Sequence, residues 1–148
     1  MTAITTASNA RDLEDAQNAA IGSYAVKTSV TIPQGAIVQI VSATGRATNA
    51  SQVTGRKMCG VALETKTAGT AAAATVQIKV RTAGTVKLTT SVVTKAYIGC
   101  NLAVKDNNTV TTNSGGGTAA IVCLVGRCKK VGTSVAWVEI NRLGQRVV

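Results

Sequence analysis

The sequence predicts an all-β protein, a small antiparallel β-barrel or sandwich over residues 21–148 with a flexible N-terminal arm over residues 1–20. Three observations carry that prediction. Short β-branched runs alternate in polarity with a period of two. Gly, Asn, Ser and the one Pro punctuate those runs at close intervals. With 148 residues, the chain is long enough to bury a core in one domain without disulfides or metal.

Taken in order, residues 1–20 read as an arm. Ser8 or Asn9 suits the cap of a short helix over Ala10–Ala20, with Asp12, Glu14 and Asp15 favourably near its N-terminal end. Leu13 is the only large apolar side chain in that stretch, so a helix there buries little and an extended arm is the expectation. From Tyr24 the texture changes. Strands are predicted over Tyr24–Thr31, Ala36–Ser42, Met58–Glu64, Thr75–Arg81, Thr85–Thr89, Asn101–Lys105, Thr109–Thr112, Ala119–Lys130 and Val135–Asn141. Pro33, which lacks an N–H, marks the turn between the first two. The tetra-Ala run within Thr67–Ala74 is too short to hold a helix beside Gly69, and reads as a loop.

The cleanest alternation is Thr75–Arg81, with Val76, Ile78 and Val80 on one face and Gln77, Lys79 and Arg81 on the other. Val86 and Leu88 alternate likewise with Lys87. A hairpin through Thr82-Ala83-Gly84 pairs Val80 with Val86 and Ile78 with Leu88, and sets Lys79 opposite Lys87. Directly opposed like charges destabilise a sheet, so the two lysines either splay into water or meet an acidic partner. Asp106-Asn107-Asn108 is a tight turn, residues 113–118 a Gly-rich loop without phosphate-binding grammar, and Val131–Val135 the closure of the last hairpin. Gly35, Gly60, Gly84, Gly99, Gly126 and Gly132 fall at strand ends and bends, as backbone devices of a strongly curved sheet. No internal repeat stands out.

The composition argues against most chemistry. There is no His, which removes Ser-His-Asp and Cys-His nucleophiles and every His-ligated metal. The carboxylates are Asp12, Glu14, Asp15, Glu64, Asp106 and Glu139, three of them in the arm, and they offer few pairs for acid–base work. The expectation is a protein that is not an enzyme, with no catalytic residues, no metal and no cofactor. Four cysteines, Cys59, Cys100, Cys123 and Cys128, include no CxxC and sit in or beside apolar runs, which favours free structural thiols. The N-terminus lacks the pattern of a signal peptide and no apolar run approaches a membrane span, so synthesis in a cytoplasm and no membrane partner are expected.

The formal net charge is +10. Setting aside Arg11 and the three acids of the arm leaves 15 basic and 3 acidic side chains, a body of net +12. A basic body implies an anionic partner. Single-stranded nucleic acid is usually held on stacking platforms, and Trp137, Tyr24 and Tyr97 are the only rings, so specific nucleic-acid reading is not expected. Trp137 falls on the more polar face of its strand, where it covers a core edge or anchors an interface.

Several segments carry a resemblance. They are Ile-Pro-Gln-Gly-Ala-Ile-Val over 32–38, Cys59-Gly-Val-Ala-Leu63, the run from Val76 to Val86, Ile98-Gly-Cys-Asn-Leu102, the run from Ala120 to Arg127, and Ala136-Trp-Val-Glu-Ile-Asn141. In this order, across roughly residues 24–141, the chain resembles the small capsid decoration (cement) proteins of tailed bacteriophages. The resemblance implies an all-β structural protein that binds the exterior of a phage head and stabilises the shell, as a homotrimer. Its partners would be the major capsid protein and copies of itself. Its location would be the capsid surface of the virion, after synthesis in the host cytoplasm. The other class left open is a basic β-barrel that binds nucleic acid. Candidate capsid or subunit contacts are Leu13, Ile21, Tyr24, Lys79, Arg81, Lys87 and Trp137.

Overall fold

A computed structural model of the chain describes residues 21–53, 55–70, 76–112 and 123–141. They fold into antiparallel β-structure, as the sequence predicts, with one short 3-10 turn at Lys95–Tyr97 and no α-helix among them. The expected arm and its Leu13 lie outside the described residues, as do the Gly-rich loop and the first residues of the predicted 119–130 strand.

Two five-stranded sheets divide the chain. The first contains β1 (Ile21–Ala25), β3 (Ile37–Val41), β4 (Arg46–Asn49), β5 (Arg56–Ala62) and β7 (Gln77–Arg81). The second contains β8 (Ala83–Thr89), β9 (Asn101–Val104), β10 (Val110–Thr112), β11 (Leu124–Gly132) and β12 (Val135–Asn141). A two-stranded ribbon of β2 (Thr31–Ile32) and β6 (Lys66–Thr67) completes the fold.

The predicted hairpin between 75–81 and 85–89 does not form. β7 already has partners on both sides, β1 and β5, so it has no free edge for β8. The chain instead passes at the buried Thr82 from one sheet to the other, with Gly84 at φ +103° in a conformation that favours glycine. β8 pairs along its whole length with β12, from Ala83↔Asn141 to Thr89↔Val135. Lys79 therefore lies opposite Ser23 and Lys87 opposite Trp137, which removes the like-charge contact that a hairpin would impose. Of the expected core, Ile78, Val80 and Leu88 are buried while Val76 and Val86 are half-buried, and the five are shared between two clusters. The predicted strand Tyr24–Thr31 is interrupted by a turn in which Ser29 takes φ +60°. β4 and β6 lie in Thr/Ala-rich stretches whose pattern gave no strand signal.

The two sheets are copies of one topology. In each, the first strand pairs with the last, the last with the fourth, the fourth with the second and the second with the third. In each, the outer strands meet at one isolated parallel bridge, Val26↔Ala47 and Thr89↔Thr109, so the sheet curls without closing into a barrel. The fourth strand is bulged at the same place, between Met58 and Gly60 and between Leu124 and Gly126. The glycine there is required by close approach: a Cβ on Gly60 would lie 2.0 Å from the Arg81 carbonyl oxygen, and one on Gly126 would lie 2.1 Å from that of Glu139. The second strand is entered by the same turn. The Ala36 N–H bonds the Pro33 carbonyl and the Cys100 N–H bonds the Tyr97 carbonyl, with Gly35 and Gly99 at φ +84° and +91°.

Each curled sheet encloses its own core. Val26, Val38, Ala47, Cys59, Ala62, Ile78 and Val80 fill the first, under Ile32 and Ala68 of the ribbon region. Leu102, Val110, Val125, Cys128, Ala136 and Val138 occupy the matching places in the second. The bulge explains how β5 serves two layers. The extra residue shifts its phase, so that Met58 and Val61, three apart, face the second half while Cys59 and Ala62 face the first core. Ile37, Ala50 and Val61, on the outside of the first sheet, thus join the core of the second. The halves stack outer face onto core.

A cationic face around Trp137

The candidate site is the outer face of β8, β12 and β11. Period-two alternation sends Leu88, Ala136, Val138 and Ile140 inward and leaves Thr85, Lys87, Thr89, Trp137 and Glu139 on the other side. A second bulge, between Cys128 and Lys130, puts the successive Lys129 and Lys130 both outside, where strict alternation would have buried one of them. Trp137 stands in the middle strand, opposite Lys87 on one side and Lys130 on the other. The Lys130 ammonium lies 4.8 Å from the ring centroid and that of Lys87 5.6 Å, both within cation–π reach. Gly132 leaves space for the ring, since a Cβ there would come within 3.1 Å of it.

Glu139 pairs with Lys129 at 3.1 Å across the same face, which leaves Lys87, Lys130 and the exposed Arg127 as excess positive charge. Exposed pairs of this kind stabilise little, so the face is best regarded as a rigid, solvated cationic surface with one aromatic centre. The matching face of the first half is different. There Lys79 takes the place of Trp137 and Ser23 that of Lys87. Glu64 accepts a hydrogen bond from the Lys79 backbone N–H and lies 3.9 Å from Lys66, so this face too is basic but has no aromatic centre.

Of the predicted contacts, the structure brings together Lys87 and Trp137. Lys79 and Arg81 lie on β7 of the first sheet, where Arg81 donates from Nε to the Ala83 carbonyl at 3.0 Å and braces the crossing between sheets. Ile21 and Tyr24 are on β1; Ile21 is 49% exposed, whereas Tyr24 packs on the first core. Leu13 lies outside the described residues. Lys130 was missing from the expected set. Arg127, Lys129 and Lys130 form the densest basic cluster of the chain, but only the bulge and the hairpin register set Lys130 beside Trp137.

The cysteines are free, with Cys59, Cys123 and Cys128 buried and Cys100 exposed. Burial pushes the Cys59 thiol up to about 11, against a hydrogen bond with Tyr24 that pulls the other way. Burial also raises the Cys123 thiol, beside Gln39. Among the described residues no group of three or more His, Cys, Asp or Glu is placed to hold a metal ion, and no helix is long and apolar enough to cross a membrane. No family model, curated protein or solved structure matches the chain.

Proposed function

We propose that the protein is a capsid decoration protein of a tailed phage, attached as a homotrimer to the exterior of the shell through the Lys87–Trp137–Lys130 face. The observation that carries the reading is the lone Trp held between two lysines on a rigid sheet in a body of net +12. Such a face fits the acidic exterior of a protein shell: charge steers the encounter, and the ring holds the two ammonium groups where carboxylates can pair with them. The resemblance of residues 24–141 to decoration proteins supports the same partner.

The charge alone also suits nucleic acid. The geometry favours a protein partner, because the ammonium groups lie over the ring and a base would have to displace them in order to stack. A carboxylate pairs with those ammonium groups where they stand. Co-sedimentation with phage shells that lack the protein, and separately with DNA, distinguishes the two across a salt series. Binding to shells that weakens with salt, and falls at least tenfold in the Lys87→Glu/Lys130→Glu variant but not in Lys79→Glu, is the expected result. Binding to DNA with the same residue dependence, and none to shells, would overturn the reading.

A further inference from the structure

We propose that Cys100 and Cys128 form a covalent cross-strand site, a thiol pair that peroxide oxidises to an intramolecular disulfide. The two residues face each other across the ladder. The Gly99 N–H bonds the Cys128 carbonyl at 2.7 Å and the Cys128 N–H bonds the Cys100 carbonyl at 2.9 Å. Gly99, at φ +91°, and Cys100 together oppose Cys128 as a β-bulge, and the bond from the Cys128 N–H to the Cys100 carbonyl keeps the two Cα atoms within the window of about 4.4–6.8 Å that a disulfide spans. Burial raises the Cys128 thiol, and Cys100 adds to that rise.

The comparison of the halves adds an independent argument. In the first half the same two bonds run from the Gly35 N–H to the Ala62 carbonyl and from the Ala62 N–H to the Ala36 carbonyl. Alanine stands at both places in one half and cysteine at both in the other. Packing explains Cys128, which is fully buried, since a free thiol serves as a small apolar filler. It does not explain Cys100, which is exposed. Reaction with each other explains both. Cys59 and Cys123 have no such counterpart and lie in separate cores.

The exposed sulfur reacts first. The Cys100 thiolate attacks hydrogen peroxide, its S–O bond forms as the O–O bond breaks, and hydroxide leaves. The Cys128 sulfur then displaces the second hydroxide from the sulfenic sulfur, forming the S–S bond. Two thiols lose two electrons and two protons, and the peroxide becomes two waters.

The full-length reduced protein, treated with an equivalent of hydrogen peroxide, is expected to stay monomeric in mass and to weigh two hydrogens less. Of its four thiols, two should be lost to titration in denaturant, and peptide mapping should join Cys100 to Cys128. Cys100→Ala and Cys128→Ala should each abolish the cross-link while keeping the parent circular dichroism, because alanine already occupies this position in the first half. A disulfide through Cys59 or Cys123, a Cys100-linked dimer, or a stable oxygen adduct at Cys100 beside an intact Cys128 thiol would overturn the proposal. None of these readouts depends on attachment to a shell.

Discussion

The two halves of the molecule share a strand order, an entering turn, a bulge and its glycine, and they differ in what their outer faces carry. On the first half that face presents Ile37 and Val61, and the second half covers them. At the matching pair the second half presents Asn101 and Arg127, both exposed. A repeat that stacks outer face onto core would go on adding copies unless its last unit were polar outside, and here it is. The β8–β12–β11 face also differs from its counterpart: one sets Lys79 opposite Ser23 with no ring, the other gathers Lys87 and Lys130 over Trp137. One backbone thus serves as a foundation in one copy and presents the cationic face around Trp137 in the other.

The largest expected effect tests whether the halves are equivalent at all. Gly60→Ala and Gly126→Ala would each drive a methyl group into a carbonyl oxygen of the last strand. Each should cost on the order of 3–5 kcal/mol in denaturant unfolding, with near-equal losses. If one alanine is accepted freely while its counterpart unfolds the protein, the equivalence is broken.

A smaller effect sharpens the difference between the outer faces. Ile37→Asn buries an amide between the halves and should cost about 3 kcal/mol. The reverse exchange, Asn101→Ile with Arg127→Val, should change unfolding by less than about 0.5 kcal/mol but should make the protein associate, because it recreates the stacking face without a cover. Light scattering against concentration reads that association, and a strictly monodisperse double variant would count against the stacking account.

The smallest effect lies where the halves join. The Thr82 hydroxyl is buried and has no hydrogen-bond partner among the described residues. Thr82→Val replaces it with a methyl of the same shape and should raise stability by up to about 1 kcal/mol in the same denaturant measurement. A loss of that size instead would mean that the hydroxyl holds the crossing in place.

Much of this fold is legible in the sequence, and the reason is periodicity. Val135–Asn141 and Gln77–Arg81 alternate cleanly, and the structure places strands there. Gly35 and the Asp106–Asn108 turn announce themselves through residues that suit left-handed or side-chain-bonded backbone. Pairing partners are not legible in the same way. The segments 75–81 and 85–89 match each other locally, and only the competing ladders of β1, β5 and β12 direct them into different sheets. The duplication was hidden for a related reason. What the halves share is hydrogen-bond register and a few glycines, while the connection from the fourth to the last strand is a long excursion through β6 in one half and a tight turn at Thr133-Ser134 in the other. The site was half visible: Lys87 and Trp137 could be named, but Lys130 joins them only through a bulge and a hairpin register that no local pattern encodes.

Attachment through one half alone is the central claim, and hydroxyl-radical footprinting of the protein on shells tests it most directly. Trp137 is the only tryptophan, and its oxidation can be compared in one digest with that of Tyr24 on the first half and Tyr97 beside the second core. The account predicts that shell binding suppresses oxidation of Trp137 several-fold and leaves Tyr24 unchanged. Protection of Tyr24 with Trp137 fully reactive would place the contact on the first half and contradict it.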